Sequence, residues 1–265
     1  MKWSLNFISE QDFFDHAEAT IKQYGEKLES FDLKKFNKNT IDPIKLIFDK
    51  TVYDFTWEEI VKNEIFRQRD KSNNNDIGYF HQRIFQYIDN CEVPQTGWDV
   101  IFSKAGISID GKDRVERVFV EIKNKHNTMN SSAAGKTYIK MQAKLLDDDN
   151  CACMLVEVIA KKSQNIPWVV SVDGQSKKHR RIRRVSIDKF YEMITGEKDA
   201  FYQVCMILPK VIEKIMALRK TDIISNDSVI SELENIAQSQ NISFALALYM
   251  LSFGNYEGFY IKENQ

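Results

Sequence analysis

The run CACMLVEVIA (151–160) is almost continuously apolar. A strand with one solvated face alternates apolar and polar residues, so an unbroken run belongs to a strand buried on both faces. Such a strand needs a sheet with helices packed on either side. The flanking sequence agrees. GWDVIFSKAGISI (97–109) and VERVFVEIKNK (115–125) are β-rich and separated by the turn DGKDR (110–114), which predicts an antiparallel hairpin. SSAAGKTYIKMQAKLLDDD (131–149) reads as a helix entered through a Ser/Gly loop, and IPWVVSV (166–172) as a further strand.

Helices dominate the rest. Residues 9–29 start at the N-cap candidate Ser9 and keep helical spacing through Phe13, Ala17, Ile21 and Leu28. A second helix is expected over 42–49, with Pro43 in its first turn. A third is expected over 56–71, with Thr56 and Glu59 in a capping box. KSNNND (71–76) reads as a polar loop and 77–90 as a short amphipathic helix. From about 187 the chain is mainly helical, with 200–219 interrupted by Pro209 and a last helix at 243–253. The order predicts an α/β core, a mixed sheet flanked by helices, with N- and C-terminal helical elaborations. No repeat or long linker divides the chain, so one domain is expected over 1–265. Its parts are a mainly helical 1–76, a core at 77–172, and a basic segment with C-terminal helices at 173–265.

Several function classes fall away. The four cysteines (91, 151, 153, 205) form no CxxC pair and read as reduced thiols, and the four histidines show no zinc-site spacing. Glu10 and Asp12 come too early for the apolar segment of a signal peptide, and no apolar run reaches membrane-spanning length. A cytoplasmic protein is expected. The net charge is −1, so a nucleic-acid surface requires segregation of charge rather than an excess of it.

The predicted hairpin carries charges where a core strand should not. In a strand, residues i and i+2 share a face. Phe119, Glu121 and Lys123 therefore lie on one side, which turns polar toward its end. Asp99 opens the partner strand, so three ionisable groups can converge at one end of the hairpin. Two carboxylates suit Mg²⁺, a hard cation that takes oxygen ligands. A neighbouring lysine can orient a water or stabilise developing charge. The tripeptide Asp/Glu-any-Lys occurs three times (from Asp32, Asp110 and Glu121), and only the last lies on a predicted core strand. On spacing alone, a surface ion pair on an edge strand is the favoured reading.

The wider context resembles the PD-(D/E)XK nuclease core: Asp99, then Glu121 and Lys123, in a helix–hairpin–helix–strand order. The segments FNKNTIDPIKLIFD (36–49), DKSNNNDIGYFHQRIFQYI (70–88), GWDVIF (97–102) and VEIKNKHNTMNSS (120–132) are similar to the type II restriction endonucleases that cut GGNCC-type sites. Trp98 stands where the superfamily's name has proline. The resemblance implies Mg²⁺-dependent cleavage of double-stranded DNA by a homodimer, and a cognate methyltransferase in the same system. Asp99 and Glu121 would hold the metal, and Lys123 would serve the attacking water. Glu64, on the third helix, matches the helix-borne glutamate that often joins such sites, and Gln82 would hydrogen-bond nearby. Two other readings share these features: a DNA-binding module without chemistry, and a repair or structure-specific nuclease.

Candidate DNA contacts follow the catalytic strand: Lys125, Asn127, Asn130, Ser131, Ser132 and Lys136, whose amide, hydroxyl and ammonium groups suit phosphates or base edges. The strongest charge segregation is SKKHRRIRR (176–184). Between 161 and 184 eight Lys and Arg face the single acid Asp173. Lys177, Lys178, Arg180, Arg181, Arg183 and Arg184 thus make a candidate phosphate-binding run, against the simpler reading of a solvated turn.

Overall fold

The computed structural model describes residues 3–26, 30–126, 128–218 and 227–253. The chain forms two compact units, one of residues 1–22 and 75–220, the other of 23–74 and 221–265. In chain order the helices are α1 (Glu10–Glu26), α2 (Leu33–Asn37), α3 (Pro43–Val52), α4 (Trp57–Arg83), α5 (Ser131–Asp147), α6 (Ile187–Thr195), α7 (Ala200–Leu218), α8 (Val229–Ser239) and α9 (Phe244–Phe253). The strands are β1 (Cys91–Glu92), β2 (Val100–Ser108), β3 (Arg114–Lys125), β4 (Cys151–Ile159), β5 (Asn165–Val172) and β6 (Gln175–Ser186).

The helix starts are written in capping residues. Ser9 Oγ accepts from the Asp12 amide at 3.0 Å and begins α1. Asp42 caps α3 ahead of Pro43. Thr56 and Glu59 form the reciprocal capping box at the start of α4. Asn130 caps α5 through the Ala133 amide.

The first unit is built on one mixed sheet in the order β1-β2-β3-β4-β6-β5. β2 and β3 form the expected antiparallel hairpin. β3 and β4 are parallel, with α5 as the crossover, and β6 runs parallel to β4 on its other side. Val100, Val118, Val120, Ile122, Met154, Val156 and Val185 point to one face, into a core shared with Phe13 of α1, Phe190 of α6 and Val204 of α7. Phe119, Cys153, Leu155 and Ile182 point to the other face, against Tyr138 and Met141 of α5. β4 is buried on both faces from Cys151 to Glu157, as its composition requires.

The second unit holds α2, α3, the first part of α4, α8 and α9 around Phe36, Leu46, Val61, Ile65, Leu233 and Leu248. Asp227 ties its two chain segments together, accepting from the Phe31 amide at 2.8 Å and from Arg69 at 2.9 Å. Trp57 stacks on Phe244 at 4.8 Å. Among the described residues, no helix is long and apolar enough to cross a membrane.

Three elements differ from the sequence reading. KSNNND (71–76) is not a loop: α4 runs unbroken from Trp57 to Arg83. The stretch has weak helix formers but no proline, and Asn74 donates to Asp70 one turn back at 3.0 Å. Pro209 does not interrupt α7, whose buried face (Val204, Ile207, Val211, Ile215) keeps helical spacing through it. The basic run 176–184 is neither turn nor loop but most of β6. It returns from β5 through Asp173 (φ 51°) and Gly174 (φ 75°), a two-residue hairpin turn with both central residues left-handed.

Candidate active site

The hairpin register brings the predicted charges together. Val100 pairs with Val120, and the Asp99 amide donates to the Val120 carbonyl at 3.0 Å. This bond and the one from Ile122 to its carboxylate seat Asp99 at the end of the hairpin, against the stretch of β3 that holds Glu121. The Ile122 amide donates to Asp99 Oδ2 at 2.7 Å, which fixes the Asp99 rotamer and leaves Oδ1 without a hydrogen-bond partner among the described residues. Lys123, two residues beyond Glu121 on the same face, places its Nζ 3.9 Å from Glu121 Oε2. Gln82 donates weakly to the Asp99 main-chain oxygen at 3.4 Å.

Glu121 has another partner that its sequence neighbourhood does not reveal. Lys140 of α5 donates to Glu121 Oε1 and to the Gly97 carbonyl. Its ammonium sits 4.1 Å above the Trp98 ring. Lys136, Lys140 and Lys144 recur every four residues on α5, a stripe that could have flagged it.

The charged layer extends to the next strands. β4 places Glu157 beside Lys123, and β6 places Arg184 beside Leu155. Glu157 is 1% exposed. It accepts from Arg184 Nη2 and lies 3.1 Å from His126 Nδ1 through both oxygens. Burial alone would raise the Glu157 pKa, but the hydrogen bonds from Arg184 and His126 outweigh it and hold the group below its ordinary value. An acid inside the apolar run 151–160 was the sequence signal for this cluster. Lys123, Lys125, Ser131, Glu157, Trp168 and Arg184 line a cavity of about 250 Å³ between the start of α5 and the sheet. Asn130 spends its side-chain oxygen on capping, while Ser132 and Lys136 are exposed on α5. Asn127 lies outside the described residues.

Two groups of expected residues sit in more committed surroundings. Glu64 belongs to the second unit and is 6% exposed, with Arg67 donating to both carboxylate oxygens and Gln68 to one. The arginines of β6 have internal partners. Arg180 pairs with Asp110 at 2.8 Å and Arg181 with Asp113 at 2.9 Å, each holding its aspartate well below the usual carboxylate range. Arg183 is 4% exposed and donates to both oxygens of Asn165. Lys178 is exposed, and Lys177 donates to Gln175.

The donor set fits a hard divalent cation: two carboxylates, with an oxygen at Asp99 that has no hydrogen-bond partner among the described residues and a loosely held one at Glu121. Residues 5–217 match the model of the Eco47II restriction endonuclease family. The chain belongs to the Eco47II restriction endonuclease family. It is similar to the type II restriction enzyme Sau96I of Staphylococcus aureus, at 28% identity over 96% of this chain and 98% of that protein. It is also similar to the type II restriction enzyme Eco47II of Escherichia coli, at 28% identity over 81% of this chain and 89% of that protein. As a member of this family the chain is a type II restriction endonuclease, a site-specific hydrolase of double-stranded DNA. The α/β sheet flanked by helices is its restriction-endonuclease-like core. Enzymes of this type need a divalent metal for cleavage.

Proposed function

We propose that the cleavage centre is Asp99, Glu121 and Lys123, that its metal is Mg²⁺, and that the enzyme cuts GGNCC or a close relative. The observation that supports this most is the Asp99 carboxylate held by the Ile122 amide, next in the chain to Glu121, with Lys123 3.9 Å from Glu121. The GGNCC site follows from the resemblance of the motifs at 36–49, 70–88, 97–102 and 120–132.

Asp99 and Glu121 would hold the ion, which when bound polarises the phosphoryl oxygen and acidifies a water. The chain's own residues do the positioning. The Ile122 amide holds the Asp99 carboxylate through Oδ2. Lys123 is a third exposed, close enough to Glu121 to stay oriented and open enough to reach substrate. Its ammonium donates to the attacking water and to the phosphate oxygens, where negative charge builds. The water's oxygen bonds to phosphorus, one ester P–O bond breaks, and the departing oxygen takes a proton, leaving a hydroxyl and a phosphomonoester. Gln82 supports the loop that carries Asp99. Glu64 enters this reading as an acid that would have to leave Arg67, and Glu64→Gln tests it by cleavage rate.

Lys125, Asn127, Asn130, Ser131, Ser132 and Lys136 come directly after Lys123 in the chain and are proposed to track the DNA backbone, Lys125 and Ser131 from the cavity that Lys123 also lines. Lys177 and Lys178 on the β5–β6 hairpin are proposed as further phosphate contacts. Arg180, Arg181, Arg183 and Arg184 would have to exchange internal partners to join them. A homodimer suits the task, since a two-fold protein matches a two-fold site and brings one centre to each strand. A cognate methyltransferase would protect the host's own sites, and a cytoplasmic location follows from that task.

The test is a digest of unmethylated plasmid with Mg²⁺ and with EDTA, the ends sequenced. Discrete fragments ending at one sequence, only with Mg²⁺, are expected. Sequence-independent ends would overturn the specificity reading. Lys123→Ala is expected to bind DNA normally and to cut at least about 100-fold more slowly; full cleavage by it would overturn the assigned centre.

A further inference from the structure

We propose that Lys140 is a resident counter-ion of the cleavage centre, occupying Glu121 until a divalent metal displaces it. The inference rests on the reading of Asp99 and Glu121 as metal-holding residues. Its observation is independent of that reading: a lysine from a different element is seated on one of the two carboxylates.

Glu121 is flanked by two ammonium groups. Lys140 takes Oε1, and Lys123 stands 3.9 Å from Oε2. The Glu121 side chain is 14% exposed, so solvent does little to screen it. A divalent ion arriving there would make a third positive centre around one carboxylate. One lysine must yield, and the structure distinguishes them. Lys123 rides on β3, two residues from Glu121, and makes no other ion pair among the described residues. Lys140 has two further anchors, the Gly97 carbonyl and the face of Trp98 at 4.1 Å. Releasing Glu121 therefore costs Lys140 one contact in three and leaves its ammonium seated on groups next to Asp99. The side chain is 40% exposed, with room to move.

Lys140 thus has two effects. It keeps the carboxylate charge compensated in the metal-free protein, and it sets a threshold for metal binding. It is a positioning residue, since it acts through Glu121.

The test is direct binding of Mn²⁺, a hard divalent probe, to DNA-free protein, counted from the electron paramagnetic resonance signal of the free ion. Lys140→Met keeps an unbranched stem over Trp98 and removes the charge; Lys140→Gln is a second neutral variant. Both should bind Mn²⁺ about tenfold more tightly than the natural protein, a change of about 1.4 kcal/mol. Lys140→Arg, which keeps the charge, should not tighten binding. Asp99→Asn should weaken binding in every background. If both neutral variants match the natural affinity within about twofold while Asp99→Asn still weakens it, Lys140 is no counter-ion and the metal reading stands. If neither Asp99→Asn nor Glu121→Gln changes Mn²⁺ binding, the metal reading and the Lys140 proposal fall together. A melting curve for each variant separates lost folding from altered binding.

Discussion

Replacing Glu157 with glutamine tests the charged layer behind Lys123. The native carboxylate is 1% exposed and meets Arg184 through Nη2 and His126 through Nδ1 at 3.1 Å. Arg184 is 22% exposed in its side chain, so its charge is only partly solvated. Glutamine preserves shape and one accepting oxygen but removes the negative charge. Breaking a buried pair costs about 3–5 kcal/mol because the surviving ion is left uncompensated. The partial exposure of Arg184 sets the expectation at the lower end, about 3 kcal/mol at pH 7. The sign of the pH effect is fixed as well. The Glu157 pKa is lowered in the folded state, so its contribution is complete above the unfolded value of 4.5 and fades as pH falls through the folded value. The difference between the two proteins should therefore be flat from pH 6 to 8 and shrink below about pH 4.5. Urea titration of both proteins gives the difference, and amide exchange along β4 localises it. A double-mutant cycle with Arg184→Met isolates the pair. A coupling under about 0.5 kcal/mol, the range of an exposed pair, would refute the argument.

Other outcomes follow from the same geometry. Lys177→Ala and Lys178→Ala should each lower the salt slope of DNA binding by about 0.9, because each removes one phosphate contact. Arg181→Ala should leave that slope nearly unchanged, since Arg181 is already spent on Asp113 and the Asp149 carbonyl; equal slopes for all three variants would return the whole run to DNA. Gly174→Ala should destabilise the first unit by about 1 kcal/mol, measured by urea titration. Its added Cβ meets nothing within 4 Å, so the left-handed backbone at φ 75° is the whole cause.

The sequence carried the fold wherever local chemistry and tertiary environment agree. Ser9, Thr56 with Glu59, and the apolar run at 151–160 each state their structural role in their own residue types. Part of the candidate site was legible for a similar reason. Strand alternation places Glu121 and Lys123 on one face, but the register shift between Ser103 and Ile107 means that counting from the turn does not say which residue of the partner strand reaches them. What stayed hidden depends on partners distant in the chain. Lys140 reaches Glu121 from the crossover helix, nineteen residues away, and the lysine stripe on α5 has no feature that says which member turns inward. KSNNND reads as a loop because its residues are weak helix formers, yet helix flanks on both sides carry it through.

The basic run shows what a charge count leaves open. Eight cations against one acid look like a surface built for phosphate. β6 instead sends its arginines in alternate directions along a strand inside the sheet. Arg180 and Arg181 meet aspartates of the β2–β3 turn, about seventy residues earlier, and Arg184 meets Glu157 on the neighbouring strand. Those acids are invisible to a window centred on the run. The two lysines nearest the hairpin turn have no carboxylate partner among the described residues, and they lie where a strand ends and solvent begins. The run therefore divides by position. Its inner arginines hold the β2–β3 turn and the Lys123 layer in register, and its outer lysines remain available to a polyanion. A substitution series along β6 should separate stability from DNA affinity at that boundary, between Lys178 and Arg180.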